Sequence, residues 1–461
     1  MKIAVCVKIA DGEINPFDEC ALEEALRICD AEVYVVSMSP LSAKDKLHSL
    51  TRLGVKKVYL LSDKIYAGSD TLATSYILSE WIKNKNFDLV FCGRQSIDGD
   101  TAQVGPCLAT FINFNLITNV MKINSISDSV NCDTRLGNEC AKLPALLTIE
   151  RINTLRFPSI LSRLGEIEVL DNTSVKADAS KCGLNGSPTK VLKTFENSSG
   201  MRKCKFIPAS EFNAFLNELS EKKRNISAQK ESDIKLKSVW AIGDVVAKKA
   251  YAIAENVEII KEKNPYKIAE LAKEMKPEVI LWNADLEGRR NAPIVSALLK
   301  TGLCADCTKL ETDGKRLYMY RPAKGGNIMA KIECRTNPQT ATVRCTQKSD
   351  DIVVSGGRGA ANYIEELKSF AASLNAQLCA SRALVDKNIV PYELQVGLTG
   401  KTINPKIYIA VGISGAAQHT CAIENADTVI AINPDKNAKI FDFADFAIVS
   451  TFEDFLKNYK M

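Results

Sequence analysis

The chain lacks any apolar run approaching the ~20 residues that a membrane-spanning helix requires, which excludes a membrane span. It carries little excess charge, a formal +5 over 461 residues. No basic face is interleaved with aromatics, which disfavours nucleic-acid binding. No export signal is expected either: Met1-Lys2-Ile3-Ala4-Val5-Cys6-Val7-Lys8 is too short and too soon charged to read as one, and reads as a first strand. Fifteen cysteines are scattered without a framework, and their odd number argues against complete pairing. Reduced thiols and a cytoplasmic location are expected. Cys304-Ala305-Asp306-Cys307 is a C-x-x-C with no second pair and no histidine at zinc spacing, so two packing thiols are expected and no metal site. Histidine is scarce, with two in the chain. His48 reads as a surface residue on a helix, whereas His419 follows a glycine turn.

What is present is an ordinary globular composition, 46% hydrophobic and 25% charged. The length suits about three domains of roughly 150 residues. Strands are expected at residues 1–10, at Glu32 to Met38, at Lys57 to Leu61 and at Phe87 to Gly93. Between them lie a helix from Glu19 to Cys29 capped by Asp18, a helix ending near Gly54, and one from Ser69 to Lys83. This alternation predicts a mostly parallel sheet with helices on both faces. Gly68 to Ser75 and Asp98 to Pro106 each open a helix with hydroxyls and carboxylates. Either loop alone reads as simple N-capping; two after successive strands suit a phosphate and ribose site.

Near the C-terminal end, two β-branched runs lead into glycine turns. One is Ile352-Val353-Val354-Ser355-Gly356-Gly357-Arg358-Gly359. The other is Ile407 to Val411 followed by Gly412-Ile413-Ser414-Gly415-Ala416-Ala417-Gln418-His419. Such turns let backbone N–H groups approach a phosphate, and two in one segment predict a dinucleotide site at the C-terminal ends of parallel strands. Pro277-Glu278-Val279-Ile280-Leu281-Trp282 echoes Phe87-Asp88-Leu89-Val90-Phe91-Cys92, and the offset persists to Ala292-Pro293-Ile294 against Ala102-Gln103-Val104. A duplicated nucleotide-binding-type fold is implied. Roughly 40 residues separate Val239 from Pro277, so the second copy is expected to be trimmed, since a βαβ unit takes about 30 or more. The polar stretch from Lys222 to Lys237 reads as a linker.

Ser355-Gly356-Gly357-Arg358-Gly359, Ala380-Ser381-Arg382-Ala383-Leu384-Val385-Asp386, Gln395-Val396-Gly397-Leu398-Thr399-Gly400-Lys401, Ser414 to His419 and Ala431-Ile432-Asn433 closely resemble the FAD domain of the electron-transfer flavoprotein alpha subunit. Gly288 to Pro293, Thr301 to Thr308, Arg321-Pro322-Ala323-Lys324-Gly325-Gly326-Asn327 and Ala341-Thr342-Val343-Arg344 resemble that subunit's N-terminal domain. Asn15-Pro16-Phe17-Asp18, Cys92 to Asp98, Leu143 to Thr148 and Lys205 to Lys223 resemble the beta subunit. The resemblance thus implies beta and alpha subunits fused in one chain. The expected domains are a beta-like domain at 1–224, a linker at 225–237, an alpha-like N-terminal domain at 238–349 and an FAD-binding domain at 350–461. Arg156-Phe157-Pro158-Ser159-Ile160 resembles the start of the family's partner-recognition segment, although Arg163-Leu164-Gly165-Glu166 replaces its lysine-rich run.

By resemblance, His419 would hydrogen-bond the flavin O2, Thr399 would contact N5 and Arg382 would lie against the ring, together stabilising negative charge on the flavin. Arg358, Ser381, Ser414, Gly415, Ala416 and Gln418 would hold ribityl and pyrophosphate, within a site that also includes Gln395, Val396, Gly397, Gly400 and Ala417. Asn433 would meet the adenosine end. Leu398 stands where the family has Gln, and Thr451 where it has an Asp that meets the adenosine. In the beta-like half the family holds a second nucleotide. The candidate residues are Cys6, Asn15, Pro16, Phe17, Met38, Asp70, Thr71, Thr74, Asp98, Gly99, Asp100, Thr101, Gln103, Val104 and Gly105. Ordinary members hold AMP there. The Gly68–Ser75 and Asp98–Pro106 loops are similar to the electron-bifurcating branch, in which that position holds a second FAD that takes hydride from NADH. The resemblance implies electron transfer with an acyl-CoA dehydrogenase-like partner, and ferredoxin or flavodoxin as the low-potential acceptor. The rivals are a conventional carrier with one FAD and one AMP, and a regulatory nucleotide-binding module.

Overall fold

In a computed structural model of the chain, the described residues are 1–196, 200–221 and 234–459. They divide into two compact units. The first holds residues 1–194 with the described residues of 231–324 and 329–343; the second holds the described residues of 195–230, 325–328 and 344–461. The expected linker at 225–237 lies outside the described residues as far as residue 233.

The first unit contains two parallel sheets of one design. In the larger, the strand order is Ile167–Leu170, Lys57–Leu61, Glu32–Met38, Lys2–Cys6, Leu89–Gly93, Ala145–Ile149, Asn115–Ile126, Ser129–Thr134 and Gly137–Lys142. The first seven are parallel, with an antiparallel extension at the end. Ile3, Val5, Val35, Leu89 and Phe91 pack in one core, while Ala4, Val36, Val90 and Leu146 pack in another. Burial on both faces explains why these strands read as continuous apolar runs. The chain leaves Lys2–Cys6 in one direction toward Glu32–Met38 and returns on its other side at Leu89–Gly93. A crevice therefore opens at the strands' C-terminal ends, at the topological switch.

The second copy orders Ala254–Ile260, Leu236–Ile242, Val279–Asn283, Gln339–Val343 and Leu303–Cys307, all parallel. Strands equivalent to Lys57–Leu61 and Ile167–Leu170 are not part of this sheet, so the copy is trimmed as the short spacing implies. It differs at its switch point too. The loop before Val104–Ile112, held open by positive-φ Asp100 and Ala102, corresponds in the copy to the first turns of a longer helix, Leu286–Leu299. The copies meet where Cys107 Sγ approaches the Pro293 carbonyl at 3.4 Å and Arg290 pairs with Glu139 at 2.9 Å.

The second unit is a six-stranded parallel sheet in the order Lys205–Phe206, Phe446–Val449, Thr428–Asn433, Ile407–Val411, Ile352–Gly356 and Gln377–Ala380. Its switch point lies between Ile352–Gly356 and Ile407–Val411, the two strands that end in glycine turns.

Two expectations are corrected. Asp18 does not cap the first helix. That helix is Pro16–Leu26 with Asn15 at the N-cap and Pro16 in the first position, which needs no N–H. Asp18 turns inward instead. The boundary at 224 also moves: residues 200–221 belong to the second unit. Lys205–Phe206 pairs with the edge strand Phe446–Val449. The helix Phe212–Glu221 sends Phe212, Leu216 and Leu219 into the core around Phe370 and Phe455.

Candidate functional site

The crevice of the first unit is a cavity of ≈ 600 Å³, within the ~300–1,000 Å³ of small-molecule sites. Of the candidate residues, Cys6, Asn15, Met38, Asp70, Thr71, Thr74, Gly99, Thr101, Gln103, Val104 and Gly105 line it. Pro16, Phe17, Asp98 and Asp100 are not among the lining residues. Asp98 pairs with Lys8 at 2.7 Å, and Asp100 accepts from Gln95 Nε2 at 3.0 Å. Burial pulls the Asp98 carboxyl upward, but Lys8, Ser96 and the Gly99 N–H outweigh it and hold it below its ordinary value.

Asn15 fastens the first turn to the loop after Leu89–Gly93, donating to the Gln95 carbonyl at 2.9 Å and accepting from the Ile97 N–H at 3.2 Å. Asp18 accepts from the N–H groups of Lys8 at 2.8 Å and Gly93 at 3.0 Å. Burial pushes its carboxyl up to about 7, against the pull of those N–H groups and Asn15. Only glycine fits at 93, since a Cβ there would stand 2.3 Å from Asp18 Oδ1. Cys6 and Cys92 are register partners on adjacent strands. The neighbouring Cys6 thiol and burial hold Cys92 well above the usual thiol range.

The two helix-opening loops turn out different from one another. Asp70 caps Thr71–Ile82 through the N–H groups of Leu72 and Ala73, and its other oxygen accepts from Thr189. Its carboxylate is occupied by the fold. Val104–Ile112 has no side-chain cap, and its first two residues, Val104 and Gly105, line the cavity, which sets the positive end of the helix at the cavity wall with two N–H groups that no side chain caps. Gln103, at the N-cap, accepts from Thr71 Oγ1 at 2.6 Å and donates to the Leu303 carbonyl at 3.1 Å. That bond brings in a wall from the second copy, Leu303, Cys304, Ala305, Arg321 and Ile332, none of which was singled out as a ligand-facing residue. Lys8, Arg94 and Gln95 were missed likewise. Only the charge of Lys8 at a strand end offered a signal; Arg321 sits on a strand with nothing around it to mark its direction.

Cys304 and Cys307 are both buried, and Cys307 Sγ lies 3.7 Å from the Cys304 carbonyl across a bulge at positive-φ Asp306. His48 bonds the Gly165 carbonyl at 2.8 Å.

In the second unit the glycine turns interlock. A Cβ on Gly357 would stand 2.3 Å from the Gly412 carbonyl oxygen, and one on Gly359 3.0 Å from Gly412 Cα. The two turns therefore make one crevice floor, along which Arg358, Ser414, Ala416 and Gln418 are exposed, with Ser381 half-buried beside it. This open run of small residues with one guanidinium fits a pyrophosphate. Arg382 is held by Asp386 at 2.9 Å. Thr399 is fixed by Gln395 Nε2 at 2.6 Å to its hydroxyl and by Tyr392 at 2.6 Å to its carbonyl. Gln395, Val396, Gly397 and Leu398 are buried, and a Cβ on Gly400 would meet the Gln395 carbonyl oxygen at 2.3 Å. The Leu398 carbonyl accepts from Arg344. Gly415 and Ala417 shape the turn into the short helix Ala417–Thr420. His419 is buried with Nε2 2.7 Å from the Tyr408 hydroxyl, and burial pushes its pKa down to about 4 despite the Val396 carbonyl. It is a neutral imidazole at neutral pH, so any cationic charge here comes from the arginines. Asn433 donates to the Ile413 carbonyl at 2.9 Å, steadying the turn. Thr451 caps the helix Phe452–Asn458.

Comparison with known proteins matches the family described as electron transfer flavoprotein domain twice, at residues 3–174 and 242–349. The family described as electron transfer flavoprotein FAD-binding domain matches residues 347–424. Electron transfer flavoprotein subunit alpha of Thermoanaerobacterium thermosaccharolyticum is 42% identical over 232 residues, 40% of this chain and 69% of that protein. Subunit beta of the same organism is 41% identical over 194 residues, covering 39% and 75%. Protein FixB of Bradyrhizobium diazoefficiens is 37% identical over 251 residues, covering 44% and 68%. Among the described residues, no helix is long and apolar enough to cross a membrane.

Proposed function

Since this chain belongs to the electron transfer flavoprotein family, we propose that it passes electrons between NADH and an acyl-CoA dehydrogenase-like flavoenzyme. One FAD would lie at the C-terminal crevice and a second in the cavity of the first unit, with ferredoxin or flavodoxin as the low-potential acceptor. Bound FAD would supply the redox chemistry, taking hydride or single electrons. The protein's own part is to hold, orient and shield. The interlocked turns at Gly357 and Gly412 give the crevice its floor, Gln395 fixes the Thr399 hydroxyl, and Asn433 steadies Ile413. In the first unit, the uncapped helix at Val104 and the hydroxyl of Thr101 offer donors to phosphate and ribose, while the Thr71 hydroxyl, whose proton goes to Gln103, is left to accept.

The observation that carries the two-site reading is the ≈ 600 Å³ cavity at the first sheet's switch point, a second ligand site of its own. The loop that opens this crevice is replaced by helix in the other copy. One observation favours the runner-up, a carrier with one FAD and one AMP: Asp70 is consumed in capping, which leaves the Gly68–Ser75 loop fewer free groups.

Docking is proposed at the loop after Arg156. Phe157, Ile160 and Leu161 are 94%, 93% and 87% exposed, while the loop's far end is tied down by Gly165 N–H to Thr51 at 2.9 Å and by Arg52 to Ser162 at 3.3 Å. Exposed apolar side chains on a fastened loop suit a protein partner.

The deciding experiment quantifies the nucleotides released per chain on denaturation. Two FAD and no AMP supports the two-flavin reading; one of each supports the conventional carrier. No flavin after reconstitution with excess FAD overturns both and leaves a regulatory nucleotide-binding module.

A further inference from the structure

Cys6 and Cys92 stand at the C-terminal ends of the adjacent strands Lys2–Cys6 and Leu89–Gly93, where they are register partners in a parallel ladder. Register partners point to the same face of a sheet, and neighbouring strands run about 4.8 Å apart. Both cysteines pack with Ala4, Val36 and Val90 on one face, opposite Val5 and Phe91, and both line the cavity of the first unit. Cys6 is the more exposed, at 8% against 4%. A hydrogen bond from one thiol to the other is the largest influence on Cys92, ahead of its burial, so the two sulfurs lie in contact.

Asp18 holds this pair at one spacing. Its two carboxyl oxygens accept from the Lys8 N–H at 2.8 Å and the Gly93 N–H at 3.0 Å, which ties together the chain just past each cysteine. A disulfide needs Cα atoms about 4.4–6.8 Å apart and Cβ atoms about 3.5–4.5 Å apart. The strand spacing satisfies the first range and slightly exceeds the second. A bridge here therefore closes under strain, and strained disulfides are the ones that thiols readily reopen. Cys304 also lines the cavity, but its neighbour Cys307 does not.

We propose that Cys6 and Cys92 form a reversible dithiol–disulfide couple in the cavity wall, oxidised by low-molecular-weight disulfides that enter the cavity. The Cys6 sulfur, having lost its proton to solvent, attacks one sulfur of the small disulfide. That S–S bond breaks, and one small thiolate leaves and takes up a proton. The Cys92 sulfur then loses its proton to solvent and attacks Cys6 Sγ. The mixed disulfide breaks, and the second small thiolate leaves and is protonated in turn. The protein dithiol is oxidised by two electrons, and the small disulfide is reduced to two thiols. The inference goes beyond the electron-transfer reading, because it makes the cavity a thiol-modification site that any occupant shields.

The test treats the folded full chain, stripped of nucleotide, with hydroxyethyl disulfide, and maps its linkages by mass spectrometry of unreduced peptides. A peptide pair joined through Cys6 and Cys92 is expected, and dithiothreitol should reverse it. Cys92→Ser should stop at a mixed disulfide on Cys6, whereas Cys6→Ser should leave Cys92 unmodified at the same exposure. No Cys6–Cys92 linkage in the folded wild type, or one that forms only in denaturant, overturns the inference; so does a map in which Cys304–Cys307 closes instead. Should either variant fail to fold, the wild-type map decides alone. AMP at about a hundredfold its calorimetric Kd should slow bridging by about a hundredfold, because only the empty fraction reacts. Bound AMP that leaves the rate unchanged overturns the cavity route. A stripped chain that binds neither AMP nor FAD overturns the nucleotide reading alone, and the wild-type map still decides this inference.

Discussion

Replacing Phe212 by alanine should destabilise the FAD-binding unit, although the residue precedes most of that unit in sequence by more than a whole domain. Phe212 is 1% exposed. Its ring meets Phe455 edge-on at 5.1 Å, and lies 5.9 Å from both Phe370 and Tyr459. Truncating a phenylalanine in such a core costs about 3–5 kcal/mol, the lost transfer energy plus the cavity left behind. For a unit of this size each kcal/mol moves Tm by roughly 2–4 °C, so the transition should fall by about 6–20 °C. The assay follows flavin fluorescence of protein whose first-unit cavity is filled with AMP, so that the signal reports release from the C-terminal crevice, alongside circular dichroism of the whole chain. The flavin-release transition should move by that amount and reverse in Phe212→Leu more than in Phe212→Ser. If Phe212→Ala shifts only the transition of the first unit, the assignment of residues 200–221 to the second unit is wrong.

Two further outcomes follow from the same geometry. His419 is held at about 4, below its ordinary 6.5. The unfolded chain therefore binds the extra proton between those values, and stability should fall as pH drops through that window, by up to about 1.4 kcal/mol per pH unit. Denaturant unfolding of His419→Gln should show a flatter profile from pH 6.5 to 4, and an identical profile would contradict a buried neutral imidazole. Changing Phe157, Ile160 and Leu161 together to serine should leave stability within about 0.5 kcal/mol and the flavin spectrum unchanged. Electron exchange with the dehydrogenase partner should drop at least about tenfold; a partner that still reduces the triple variant at the wild-type rate removes this loop from docking.

The sequence by itself determined the local pieces. Apolar strands ending in glycine at Gly93, Gly356 and Gly412 were legible because a parallel strand buried on both faces cannot hide its composition. The repeat at Leu89–Gly93 and Val279–Asn283 was legible because its offset is constant, and the trimming because chain length limits how many strands fit. The antiparallel strands Ser129–Thr134 and Gly137–Lys142 were not, since their half-exposed faces carry a mixture of polar and apolar residues.

Tertiary structure decided which pieces share a site. Asp18 looked like a helix cap because its chemistry allows one; only the arrival of Gly93 turns it inward. Asp70 and Gln103 each precede a helix, and nothing local says that the first satisfies its own helix while the second leaves its helix open. The face of Phe212–Glu221 is plainly apolar, yet an amphipathic helix states only that it needs a partner, not which sheet supplies one. Arg321 shows the gap most clearly. Its motif was visible in the sequence, but only folding buries the side chain and sets it in the wall of the cavity.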